Sequence, residues 1–312
     1  MQNKYHPVRG GILLYIVNFS LLLDKIFFKL FRIRTISRLT AISCLKERVI
    51  FSKLVENNSK YPLFQPKKKI SSNTIWTAWF QGIESAPPLV KICIDSFGKI
   101  ENHTTIIITE KNYKDYITLP ELIVKKFESG IIGYTAFSEI IRIELLVTYG
   151  GIWIDSTVFI HKPFITDLFD GPFCTLKGVT VLGKGEYLGL VPAYFIGCVS
   201  RFSPMVKVRD YLFSYWENND KQIDYFLVDY CFKLVYLQDT EFSRVVKSLP
   251  LTGLNRFKLV EMINKEYTQQ NLSKIDACEY GVFKLSNKYK LREQISPDRL
   301  TFWGQLLKNK AL

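Results

Sequence analysis

The chain has 312 residues, of which 47% are hydrophobic and 14% aromatic, and its formal net charge is +13. That apolar content is enough for a sizeable core and excludes disorder over most of the length. The charge is not a nucleic-acid signature: residues 1–70 hold 14 Lys/Arg against 3 Asp/Glu, a surplus of +11, and the remainder is nearly balanced at +2.

The first predicted element is "GGILLYIVNFSLLLDKIFFKLFRIRTISR". Its unbroken apolar stretch, residues 12–23, is shorter than the roughly 20 residues of a membrane span. Asn18, Lys25, Lys29 and Arg32 follow one another at helical spacing on one side. This pattern suits a helix lying in a membrane interface with its basic groups among anionic lipid heads. A helix packed on the protein's own core and a spanning anchor are competing readings. A cleaved signal peptide lacks its small-residue cleavage site. "YPLFQPKKKISS" (61–72) then reads as a linker. The chain therefore divides into a basic, amphipathic, membrane-associating segment (1–70) and one catalytic-sized domain (71–312).

From residue 73 strands and helices alternate. "TIWTAWF" is a strand, "PPLVKICIDSF" a helix opened by Pro87 and Pro88, and "TTIIIT" a β-branched strand. "PELIVKKFESG" is a short helix ended by Gly130, "AFSEIIRIELLVTYGG" a long one ended by Gly150 and Gly151, and "IWID" the next strand. The alternation predicts an α/β fold with a largely parallel central sheet. Further on, "AYFIGCV" reads as a strand, and "SPMVKVRDYLFSYWENN" and "IDYFLVDYCFKLVYL" as helices. The stretch after residue 249 reads as mixed. The six cysteines form no CxxC pair and have no histidine at ligand spacing, so each reads as a small apolar side chain in a reducing compartment.

One acid stands out. Asp155 closes an apolar strand directly after two glycines, at the carboxyl end of a strand, where α/β sheets collect ligands. Glu139 and Arg142 share a face of the preceding helix and form either a structural ion pair or part of the same site. Thr157 returns to the side of Asp155 and offers a hydroxyl oxygen. An acid and an arginine beside a strand-end acid could hold sugar hydroxyls, a diphosphate and a divalent ion, since magnesium and manganese take oxygen ligands. His103 and His161 read as loop or surface histidines, and no P-loop, HEXXH or G-x-S-x-G pattern occurs.

The segments "IWTAWFQGIESAPPLVKICIDSF", "YTAFSEIIRIELLVTYGGIWIDSTVFI" and "IDYFLVDY", in that order across residues 74–230, resemble the bacterial capsular polysaccharide synthesis glycosyltransferases. These are similar in turn to the DXD-containing sugar transferases that include yeast mannosyltransferases and clostridial glucosylating toxins. The "SE-x-x-R" to "GGIWID" block is the most specific part. The resemblance implies a GT-A-like (Rossmann-like) fold, a nucleotide-sugar donor and a divalent cation, manganese or magnesium. It places Glu139, Arg142 and Asp155 at catalytic positions and Trp153 beside the acidic motif, with Thr157 in place of the second acid. Trp76 and Trp79 fall in the region where an aromatic stacks on the base, but their spacing in a strand puts them on opposite faces, so only one can do so. Asp229 either supplies the missing carboxylate to a metal set of Asp155, Thr157 and Asp229, or caps or pairs within a buried helix.

The resulting expectation is a cytoplasmic enzyme, peripheral on the inner face of the plasma membrane, that transfers sugar from a nucleotide donor to a growing capsular or other surface polysaccharide on a lipid carrier, with retention. Its partners would be the donor, a lipid-linked or oligosaccharide acceptor and an anionic membrane surface, and no nucleic acid. The alternative is a non-catalytic sugar-nucleotide- or glycan-binding protein of a membrane polysaccharide assembly complex.

Overall fold

A computed structural model describes residues 36–56, 58–163, 171–178 and 191–312. The proposed interfacial helix over residues 12–32 lies outside them. Among the described residues no helix is long and apolar enough to cross a membrane.

The central sheet has five strands: β1 (Thr74–Ala78), β2 (Thr104–Ile108), β3 (Gly151–Ile154), β5 (Phe173–Thr175) and β6 (Phe195–Cys198), in the order β2-β1-β3-β6-β5. β1 pairs parallel with β2 and β3, and β6 runs antiparallel to both β3 and β5, so four of the five strands share one direction. The α/β architecture and the largely parallel sheet read from the sequence are both present. A separate two-stranded ribbon pairs β4 (Val158–Ile160) antiparallel with β7 (Val282–Lys284), and a small hairpin joins β8 (Gln294–Ser296) to β9 (Arg299–Leu300).

The helices follow the sequence pattern closely. After α1 (Ile36–Glu56) come α2 (Pro88–Asp95), α3 (Glu121–Glu128) and α4 (Tyr134–Tyr149). α5 (Ser203–Asn218), α6 (Leu227–Gln238) and α7 (Thr240–Ser248) pack beside them, and α8 (Lys258–Met262), α9 (Gln269–Asp276) and α10 (Phe302–Asn309) complete the chain. α4 is buried on nearly its whole circumference, because Ile140, Ile141, Ile143, Leu145, Leu146 and Val147 are all enclosed. It contacts both β3 and α5, so its apolar side chains are enclosed from more than one side.

The turn out of α4 needs its glycines. Gly150 has φ 72° and ψ −150°, a region open in practice only to glycine, and a Cβ there would lie 2.6 Å from the Ser200 nitrogen. Gly151 has φ 86°, and its Cβ would lie 2.5 Å from the Thr74 carbonyl oxygen. Gly151→Ala should therefore destabilise the fold by at least about 2 kcal/mol, read as a lower urea midpoint, because strained φ adds to a backbone clash.

The N-terminal division requires correction. Val49, Ile50, Phe51 and Leu54 of α1 are buried, and α1 contacts α5 and α6. Lys46 pairs with Asp224, and Glu47 with Lys233. Residues 61–72 are not a free linker either: Arg209 donates to the carbonyls of Tyr61 and Pro62, and the Lys67 backbone N–H donates to the Tyr149 hydroxyl at 3.1 Å. The apolar stripe of α1 faces helices of the main body, so a boundary at residue 70 cuts through one packed unit. Among the described side chains, Cys93, Cys174, Cys198, Cys231 and Cys278 are buried.

Candidate active site

Because β1 and β3 are parallel, their carboxyl ends lie at one edge of the sheet and bring Trp79 beside Asp155. The reversed β6 delivers its leading residues, Ala193 and Tyr194, to the same edge; the Tyr194 carbonyl accepts from the Asp155 backbone N–H at 2.9 Å. α4 supplies Ser138, Glu139 and Arg142, and the start of α6 supplies Asp229. These groups line a cavity of about 620 Å³, within the roughly 300–1,000 Å³ common for small-molecule sites.

Asp155 is the hub. Its Oδ1 accepts from Arg142 Nη2 at 2.9 Å and from Trp153 Nε1 at 2.8 Å, and its Oδ2 accepts from Lys284 Nζ at 2.9 Å. Lys284 Nζ also donates to the Thr157 hydroxyl at 2.6 Å. The Arg142 guanidinium lies 4.9 Å from the Trp153 ring centre, a cation–π arrangement. Burial opposes the charge on Asp155, but Lys284, Arg142 and the Trp153 hydrogen bond outweigh it and hold its carboxyl at about 2.

The other two acids respond in the opposite sense. Burial pushes Glu139 well above the ordinary range, with Arg142 only partly offsetting it. Burial also raises Asp229 to about 7, again against the pull of Arg142. Both groups hold a proton more tightly folded than unfolded. Their contribution to stability is complete below the unfolded carboxyl range and is lost as pH rises, through about 7 for Asp229. Glu144, buried against Arg209 and also raised to about 7, acts in the same direction. The urea midpoint should fall from about pH 5 to about pH 8, and a Glu139→Gln/Asp229→Asn double variant should flatten that slope without abolishing it.

Most of the sequence-predicted residues meet here; Trp76 and the metal set are corrected, and the open alternative for Glu139 and Arg142 is resolved. Trp76 is fully enclosed; its indole N–H donates to the Gly150 carbonyl and its ring packs on Tyr116 and Tyr149, so it belongs to the core, and Trp79 is the one that lines the cavity. Glu139 and Arg142 share a helix face, yet the arginine's hydrogen-bonded ion pair is with Asp155. The oxygen set of Asp155, Thr157 and Asp229 does not fit a divalent cation. Both Asp155 oxygens and the Thr157 hydroxyl already accept from cationic or indole N–H donors, and among the described residues no three His, Cys, Asp or Glu side chains gather at ligating distance. Asp229 sits in the first turn of α6, where the helix dipole favours an acid. His103 and His161 lie away from the cavity; His161 faces Asp276 at 2.7 Å.

Sequence reasoning missed Lys284. It is 129 residues from Asp155 in the chain, and the signal was there: a lone cation inside the apolar run "GVFKLS". Among the described residues, the buried Arg142 Nε and Trp79 Nε1 at this site have no acceptor. An unmet buried donor costs on the order of 1–3 kcal/mol, which is tolerable where a ligand supplies the acceptor.

A sequence profile described as capsular polysaccharide synthesis protein matches residues 34–304. A search of the curated proteins finds no match. Among solved structures, one titled "PaToxG Glycosyltransferase" is similar over 85% of this chain and 94% of its own, at 18% identity and a TM-score of 0.38.

Proposed function

The chain belongs to the capsular polysaccharide synthesis protein family, and from that premise we propose that it is a GT-A-like glycosyltransferase that uses a nucleotide-sugar donor. The observation that carries the reading is the cavity edge itself. There, Arg142 and Trp79 hold buried unsatisfied donors beside an acid–lysine–arginine cluster, a combination suited to a ligand bearing both phosphates and sugar hydroxyls.

In this reading Trp79 stacks on the nucleotide base, Arg142 and Lys284 meet the diphosphate, and Asp155 holds those two cations in place. Glu139 and Asp229, both inclined to stay protonated, donate or accept toward sugar hydroxyls. Trp153, enclosed beneath the Arg142 guanidinium, orients Asp155 and leaves donor contact to its neighbours. The bond from the anomeric carbon to the diphosphate oxygen breaks as the acceptor hydroxyl oxygen bonds that carbon. The hydroxyl proton leaves with the diphosphate, whose growing charge the two cations offset. A front-face route with retention needs no enzyme nucleophile. The acceptor is a growing surface polysaccharide on a lipid carrier. Residues ahead of α1 hold the enzyme at the inner face of the plasma membrane through basic and apolar contacts.

Incubating the purified full-length chain with a panel of nucleotide sugars and a short soluble oligosaccharide, and measuring released nucleotide by mass spectrometry, tests this. Release that disappears in Arg142→Ala is the expected result. A donor that binds but is never turned over would favour a non-catalytic binding role, a reading that Thr157 in place of a second acid makes worth separating.

A further inference from the structure

Lys284 occupies the fork between Asp155 and Thr157, and we propose that its ammonium takes the place of a divalent cation in handling the ligand's diphosphate, so that the site works without a metal. The inference rests on the nucleotide-sugar reading above and deepens it.

Three observations support the assignment. The first is position. Lys284 Nζ lies 2.9 Å from Asp155 Oδ2 and 2.6 Å from the Thr157 hydroxyl oxygen, so it fills the two-oxygen fork a metal would need. The second is charge. Asp155 is one anion facing two cations, Arg142 and Lys284, and an arriving divalent ion would meet net positive charge. The third is anchoring. Val158 pairs with Lys284 across the β4–β7 ribbon, and the Leu285 backbone N–H donates to the Thr157 carbonyl at 2.8 Å, so the lysine is registered beside Thr157 by backbone hydrogen bonds. Its side chain is 21% exposed, open to the cavity and still sheltered.

Thr157 then has a reason. A second carboxylate there would restore the negative charge a divalent ion requires, whereas a neutral hydroxyl accepts one ammonium hydrogen bond and adds no charge. Two of the three ammonium N–H donors are engaged by Asp155 and Thr157, which leaves one for a phosphate oxygen. The proposed role is electrostatic; the lysine forms no covalent bond.

Two measurements on the full-length chain test it. In the first, Mn²⁺ alone is titrated in and the free ion followed by electron paramagnetic resonance. The unmodified chain should leave the free-ion signal unchanged, and Lys284→Asp should bind one ion per chain. One Mn²⁺ bound by the unmodified chain and lost in Asp155→Asn would overturn the proposal. In the second, binding of UDP, GDP, ADP and CDP is measured by calorimetry in EDTA and in Mn²⁺. The nucleotide that binds should do so equally in both, and at least tenfold more weakly in Lys284→Met, with Lys284→Arg recovering part of the loss. Binding that requires Mn²⁺ would equally sink the idea. If none of the four nucleotides binds, the transferase reading fails, and the Mn²⁺ titration of the unmodified chain still decides the lysine assignment.

Discussion

Asp155→Asn should lower sugar transfer by about 10²-fold or more, the size typical of losing an electrostatic group at a reacting centre. It should also weaken the fold, because the carboxylate is the shared partner of Arg142, Lys284 and the Trp153 indole. An amide has one acceptor oxygen for three donors and leaves two cations without a counter-charge. The carboxyl is held at about 2, and this depression corresponds to a stabilisation on the order of 2 kcal/mol at neutral pH. The sign follows from the direction: a lowered carboxyl contributes above its unfolded value and loses that contribution as pH falls through about 2. Urea unfolding should therefore separate the variant from the unmodified chain at pH 7 and bring them together in acid. Unchanged transfer by a folded Asp155→Asn protein would remove Asp155 from the chemistry.

A chain beginning at Ser71 should fail to fold, whereas one beginning at Ile36 should fold and keep its activity on a soluble acceptor. The cut at Ser71 exposes what Val49, Ile50, Phe51 and Leu54 cover. At about 1.5–3 kcal/mol for each buried side chain, the loss is roughly 6–12 kcal/mol as an upper figure, which is comparable with the about 5–15 kcal/mol that holds a whole domain together. It also strips Arg209, fully enclosed, of its acceptor carbonyls at Tyr61 and Pro62. A buried guanidinium left short of acceptors is costly. Circular dichroism and activity of the two truncated proteins decide the matter. Sedimentation with anionic vesicles assigns the membrane role: the full chain should bind and the chain from Ile36 should not. Each basic residue near an anionic leaflet contributes on the order of 1 kcal/mol, attenuated by salt. If both bind equally, residues 1–35 are not the membrane contact.

By itself, the sequence determined what is local. Hydrophobic period, helix-ending glycines and β-branched runs placed β1, β2, β3 and α2 to α6, and an acid after two glycines marked the site, because these signals act within a few residues of their cause. Glu139, Arg142, Asp155 and Thr157 were legible in this way, whereas Trp79, as one of two tryptophans, and Asp229, as one of two readings, were reached only through the family resemblance; all six line the cavity. What required the tertiary structure were pairings between distant segments. Strand alternation alone could not say which of Trp76 and Trp79 faces the core, since β1 is covered on both faces. That residues 49–54 belong to the core and not to the basic N-terminal segment follows only from their packing against α5 and α6. Whether Arg142 pairs with Glu139 or reaches Asp155 depends on where α4 lies over β3. The cation between Asp155 and Thr157 arrives through a ribbon closed by β7, and only the backbone register Val158↔Lys284 puts it there.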